Sequence, residues 1–195
     1  MLKRELEAWW HGVDFYRDSL EGQLTVPERK ALFRLVRKWR PRQVFEIGTW
    51  KGGGSTYILS SALRKNGTGE LLTVELYPEF YHHAVRLYET KLVHLKPFVR
   101  FHLGNSVEVY TPILAALDRV DFLFLDGAED ADQTLKEFEL FSPKLLAGSI
   151  VACHDWKTQK TARVKINLEN VSGWEPLVIL PDGPTGFAAF RKKQE

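Results

Sequence analysis

Cysteine is nearly absent: Cys153 is the one thiol among 195 residues. An internal disulfide and a four-cysteine zinc site are therefore excluded, and Cys153 reads as a small buried side chain in a strand. Long apolar runs are missing too. No stretch approaches the roughly 18 consecutive apolar residues of a membrane span, and the opening Met1-Leu-Lys-Arg-Glu-Leu-Glu7 lacks the apolar core of a signal peptide. A cytoplasmic location with no membrane partner is the expectation. Neither sign of charge is in excess, with 27 Lys and Arg against 25 Asp and Glu, and a net charge of +2 gives no reason to expect a nucleic acid partner. What is present is ordinary: 44% hydrophobic and 27% charged residues, the balance of a globular chain forming one domain around a substantial core. No internal repeat or low-complexity segment interrupts it.

Leu2, Leu6, Trp9, Trp10 and Val13 recur at helical spacing and predict an amphipathic helix over residues 1–20, ahead of the turn-rich Glu21-Gly-Gln-Leu-Thr-Val-Pro27. Residues 1–26 are thus expected to be a helical cap segment on a main domain of residues 27–195. Its aromatic residues Trp9, Trp10, Phe15 and Tyr16 suit a core or dimer contact better than a lid, which leaves a homodimer open. Thr25-Val-Pro-Glu28 has the form of a capping box, and Leu32, Leu35, Val36 and Trp39 then share one helical face until Arg40-Pro41.

From Gln43 onward, short β-branched and aromatic runs alternate with helical patterns. Val44–Ile47, Leu71–Leu76, Phe98–Leu103, Val120–Leu125 and Ile150–Cys153 read as strands. Helices are expected over residues 54–65, 78–90, 106–117 and 130–141, with Pro112 unsettling the first turn of the third. Val120–Leu125 is the most apolar strand and so the central one. The regular β-α alternation predicts an α/β, Rossmann-like parallel sheet with helices on both faces. Leu177–Leu180, the turn Pro181-Asp-Gly-Pro184 and Gly186–Phe190 break this rhythm with an antiparallel hairpin. The basic stretch from Lys157 to Lys165 reads most simply as a solvated helix face, with contact to an anionic substrate as the alternative.

Val44-Phe-Glu-Ile-Gly-Thr-Trp-Lys-Gly-Gly-Gly-Ser55 runs from a strand through glycines into a helix. At the carboxyl end of a parallel strand, such glycines admit a ligand close to the backbone, and the helix amino terminus supplies N–H groups. The spacing is not the G-x-G-x-x-G of dinucleotide sites, and no Gly-Lys-Ser/Thr of a P-loop occurs. Glu46 would repel a phosphate and suits an amino group or another cation.

With E-x-G-x-x-x-G at Glu46, Gly48 and Gly52, the chain resembles the class I S-adenosylmethionine (SAM)-dependent methyltransferases, in particular their small-molecule O-methyltransferase branch, from about Gly22 to Arg191. The resemblance implies a seven-stranded sheet of five parallel β-α units closed by the hairpin. It implies that Gly48 and Thr49 line the methionine portion of SAM through backbone groups, that Glu46 holds the amino group directly or through water, and that Ser55, displaced by one glycine, supplies the branch's hydroxyl. Glu75, ending the second strand, would accept both ribose hydroxyls. Asn105 and Ser106, after the third strand, would border the adenine or serve as a helix cap.

Asp126 closes the fourth strand and His154-Asp155 the fifth, so all three are expected at the same sheet edge as Glu46 and Glu75. In the metal-dependent members of the family, an Asp after strand four and an Asp-Asn pair after strand five hold a divalent cation. Here Asp126, His154 and Asp155 would hold Mg²⁺ or another divalent ion, or His154 would act as general base without one. The acceptor is expected to be a small hydroxylated molecule. Two further readings stay open: a nicotinamide-dependent oxidoreductase, which the glycine spacing disfavours, and a SAM-binding protein without catalysis.

Overall fold

Val26 to Trp39 form α1, whose first turn is closed by Glu28 accepting the Thr25 backbone N–H at 2.7 Å. Arg40, at φ 49°, turns the chain out of the helix ahead of Pro41. The molecule is described by a computed structural model over residues 13–16, 20–170, 173–180 and 184–194. Most of the helix expected over residues 1–20, Trp9 and Trp10 included, lies outside the described residues. The described residues 13–16 are not helical; Val13, Phe15 and Leu20 are buried, as is Leu24 beyond them, and the Phe15 ring meets Phe33 of α1 edge-on at 5.3 Å.

The chain then alternates β1 (Gln43–Ile47), α2 (Ser55–Asn66), β2 (Glu70–Glu75), α3 (Pro78–Thr90), β3 (Val99–Leu103), α4 (Ser106–Ala115), β4 (Val120–Leu125), α5 (Ala131–Phe141) and β5 (Leu145–His154). A short α6 (Ala162–Lys165) precedes β6 (Trp174–Leu180) and β7 (Phe187–Lys192). One seven-stranded sheet runs in the order β3-β2-β1-β4-β5-β7-β6, with β4 at its centre. The first five strands are parallel, and β7 pairs antiparallel with both β5 and β6. This is the Rossmann-like sheet with a terminal hairpin that the pattern implied. Among the described residues, no helix is long and apolar enough to cross a membrane.

The sheet buries apolar side chains on both faces, as a parallel sheet must. On one face Val44, Phe122, Phe124 and Ile150 pack against α1 and α2; on the other Phe45, Leu123, Val151 and Cys153 pack beneath α4 and α5. Tyr110 of α4 ties the second layer to the sheet, donating its hydroxyl to the Glu46 carbonyl at 2.8 Å and the Leu72 carbonyl at 3.0 Å. Its ring lies 5.2 Å from Phe45 and 5.4 Å from Phe141.

Three local expectations need correction. Pro112 falls in the middle of α4, not in its first turn. It is tolerated there because Pro112 and Glu108, whose carbonyl loses its partner, both face solvent. Strand β2 stops at Glu75, which leaves Leu76 outside it and exposed. Strand β5 starts at Leu145, five residues earlier than its apolar run, because Leu145 already pairs with Val120 and Gly148 (φ 88°) carries the chain through a register shift before Ile150 pairs with Phe122.

Candidate functional site

The parallel strands all end at one edge of the sheet, and two adjoining cavities open there. One, of about 230 Å³, is walled by Glu75, Tyr77, Asn105, Ser106, Gln133 and Glu137. The other, of about 430 Å³, is walled by residues including Thr49, Ser55, Asp126, Asp155 and Lys160. Gly48, Glu75, Tyr77, Gly127 and Glu129 border both.

Glu75 stands at this junction with both carboxylate oxygens pinned. Oε2 accepts the Trp50 N–H at 2.7 Å and Oε1 the Tyr77 N–H at 3.0 Å. A carboxylate oxygen accepts more than one hydrogen bond, so each can still take a hydroxyl from a ligand. In the smaller cavity the Asn105 side chain caps α4 by accepting from Val107 N at 3.0 Å, and Ser106 donates to Glu137 Oε1 at 2.7 Å. Glu137 was not legible as a site residue. It is buried, desolvation raises its carboxyl above the usual range, and its Oε2 lacks a partner.

The glycines after β1 serve the protein's own chain as much as a ligand. Gly48 (φ 96°) lies against the backbone at the end of β4, where a Cβ would come within 2.7 Å of the Asp126 carbonyl oxygen. Gly53 and Gly54 admit the segment before α1: a Cβ on Gly53 would meet the Glu21 carbonyl oxygen at 2.5 Å. Lys51 pairs with Glu21 across the same contact. The N–H groups of Gly48 and Thr49 are committed to the Val74 carbonyl, at 3.1 and 3.2 Å. These two residues therefore wall the cavity without offering an N–H. Gly52 takes φ 76° and packs on Ala84 of α3.

Glu46 is fully buried beneath this turn and borders neither cavity. Burial pushes its carboxyl up to about 7, although hydrogen bonding to Ser55, Thr56 and Thr73 favours the charged form. The Thr56 hydroxyl donates to Oε2 at 2.7 Å, while Oε1 has no partner in the hydrogen-bond geometry. Ser55 begins α2 and walls the larger cavity, so the extra glycine brings its hydroxyl between Glu46 and the open space.

Asp126, His154 and Asp155 are brought together, one ligand atom of each lying within 4.8 Å of the others. His154 departs from expectation: it is 1% exposed and borders neither cavity. Its Nδ1 bonds Asp126 Oδ1 at 3.1 Å, its Nε2 bonds the Thr185 hydroxyl at 3.1 Å, and Glu28 lies 3.7 Å from Nε2. Burial works against the charged ring. The bond to Asp126, with Asp155 and Glu28 near, outweighs it and carries the pKa above the usual histidine range. Both ring nitrogens are thus engaged within the protein, Nδ1 by Asp126 and Nε2 by Thr185.

Lys160 corrects the reading of residues 157–165 as a solvated face. Lys157 and Arg163 are exposed, but Lys160 is buried. Its Nζ lies 2.7 Å from Asp155 Oδ2 and 3.2 Å from Asp126 Oδ1. Desolvation opposes its charge, and the two carboxylates more than restore it, so its pKa is raised. A divalent ion shared by Asp126 and Asp155 would have to displace this ammonium. With His154 doubly engaged as well, the residues as arranged do not fit a divalent metal.

Residues 45–156 match the family model described as a methyltransferase domain. No curated protein matches the sequence. Among solved structures, the O-methyltransferase TomG from Streptomyces achromogenes, in complex with SAM, is 22% identical over 97% of this chain and 89% of its own, with a TM-score of 0.68. An O-methyltransferase from Bacillus cereus in complex with SAH is 17% identical over 99% of this chain and 91% of its own, with a TM-score of 0.72. The SAH-bound methyltransferase PaMTH1 of Podospora anserina is 16% identical over 97% and 87%, with a TM-score of 0.68.

Proposed function

Because the chain belongs to the methyltransferase-domain family and has the class I SAM-dependent methyltransferase fold, we propose that it transfers the methyl group of SAM to a hydroxyl oxygen of a small molecule. The observation that carries this reading is the placing of Glu75, its carboxylate pinned by two backbone N–H groups where the two cavities meet. A ribose held there directs the adenine into the smaller cavity, toward Asn105, Ser106 and Glu137, and the methionine portion into the larger. The amino group of SAM then meets the Ser55 hydroxyl, with the Glu46 carboxylate behind it.

In this orientation the sulfonium faces Asp126 and Asp155, and an acceptor hydroxyl approaches from the open side of the larger cavity. SAM carries an activated methyl, so the protein has to align the acceptor with the S–CH₃ bond and help its hydroxyl lose a proton. The carboxylates of Asp126 and Asp155, which border the larger cavity, are the proton acceptors. His154 takes a positioning role, fixing Asp126 from behind. The methyltransferase domain is residues 27–195, and the N-terminal segment of residues 1–26 adds Gly22, Gln23 and Leu24 to the wall of the larger cavity.

The test is turnover of methyl-labelled SAM across a panel of hydroxylated compounds, read as label in the organic product. Transfer to oxygen by the native protein, reduced at least ~100-fold in Asp126→Asn with Asp155→Asn, is the expected outcome. Full activity in that double variant overturns the assignment of the carboxylates.

A further inference from the structure

Lys160 is used by nothing in the scheme above, yet it stands at the reacting end of the larger cavity. Burying an ammonium costs several kcal/mol unless it is well paired, so its position needs a reason. The chain goes to some length to place it. Asp155 adopts φ 58°, a left-handed conformation uncommon outside glycine. Its carbonyl then collects the Thr158 N–H at 2.9 Å and the Thr158 and Thr161 hydroxyls at 2.9 and 3.0 Å. The loop so closed returns Lys160 onto the Asp155 carboxylate and across to Asp126. The groups facing this point are accounted for: Asp126, Asp155 and Glu28 are met by His154 and Lys160.

We propose that the Lys160 ammonium occupies the place of a divalent cation between Asp126 and Asp155, and that it holds the acceptor oxygen so that methyl transfer proceeds without a metal. The inference rests on the methyltransferase reading of the site. Two of the three ammonium hydrogens are committed to the carboxylates, which leaves one for an oxygen in the cavity that Lys160 borders. Through that bond the ammonium stabilises negative charge developing on the acceptor. A lone pair of the acceptor oxygen forms the new O–C bond while the S–C bond breaks and leaves its electron pair on sulfur. The hydroxyl proton passes to a carboxylate oxygen of Asp155 and from there to solvent.

The substitution also shapes the substrate class. A divalent ion chelates two neighbouring oxygens, whereas the single remaining hydrogen of Lys160 meets one. The site is therefore built for an acidic hydroxyl such as a phenol, with no need for a second hydroxyl beside it.

The decisive experiment titrates the full-length protein with Mn²⁺ in the absence of SAM and acceptor, reading free Mn²⁺ by electron paramagnetic resonance. Wild-type protein is compared with Lys160→Met and Lys160→Ala, each checked for fold by circular dichroism and for SAM binding by calorimetry. Wild type is expected to show no saturable uptake. The variants, with two carboxylates released, are expected to show saturable Mn²⁺ uptake at concentrations at least roughly tenfold below the highest at which wild type shows none. Chelator should leave wild-type turnover of a simple phenol unchanged, and Lys160→Met should lower it at least ~100-fold. Saturable Mn²⁺ uptake by wild type would overturn the proposal. The wild-type titration decides the point even if neither variant folds. Failure of the wild-type protein to bind SAM would instead count against the methyltransferase reading, which the Mn²⁺ titration does not involve.

Discussion

Glu75→Ala is expected to weaken SAM binding roughly ten- to a hundredfold, about 1.5 to 3 kcal/mol. The carboxylate is 6% exposed, ends β2 and has its orientation set before any ligand arrives, by Trp50 N–H on one oxygen and Tyr77 N–H on the other. Two ribose hydroxyls would meet a charged acceptor that pays no ordering cost on binding, and charge-assisted bonds of this kind are the stronger class. Removing the carboxylate also orphans both N–H groups, so the measurement needs a melting curve beside the calorimetric titration. Glu75→Gln, which keeps one acceptor and loses the charge, should fall between the two. Unchanged affinity in a folded Glu75→Ala would mean that the ribose lies elsewhere.

Glu46→Gln should act in the opposite sense on stability. In the folded protein the Glu46 carboxyl is pushed by burial from an ordinary value of 4.5 to about 7. Between those values the native state keeps a proton that the unfolded chain has released. Wild-type stability therefore falls as pH rises through that window and levels off above it. The glutamine does not titrate, still accepts from the Thr56 hydroxyl and removes a buried charge. Urea unfolding should find the variant no more stable than wild type near pH 4 and more stable by about 3 kcal/mol near pH 8. A difference independent of pH would show that the buried carboxyl does not titrate in this range. If Glu46 serves the SAM amino group through Ser55, the stabilised variant should also bind SAM more weakly, an exchange of stability for function often met at binding sites.

The sheet edge could be read from the chain because its signals are local. β-branched and aromatic runs end in Glu75, Asp126 and Asp155, a glycine turn follows Ile47, and a turn between two apolar runs marks the last two strands. What escaped depends on which way a side chain turns in three dimensions. Lys157, Lys160, Arg163 and Lys165 look alike in sequence, and only the tight turn after the left-handed Asp155 folds one of them inward. His154 sits at a strand end as expected, yet its strand position aims it under α1, where Glu28 and Thr185 close around it. Glu137 lies in a helix that reads as polar, and only the packing of α5 beside α4 brings it to Ser106. The purpose of Gly53 and Gly54 was equally hidden, since the segment that needs their bareness, around Gly22, lies some thirty residues upstream. A faint sign of Lys160 was available: a cation placed just past a strand-end carboxylate, within reach of a returning loop.

Calorimetric titration of the purified protein with SAM, SAH and NAD tests the central claim most directly. Saturable binding of SAM and SAH at one shared site, with no heat from NAD, is the predicted result. Binding of NAD in preference to SAM, or no binding of SAM by folded protein, would contradict the account.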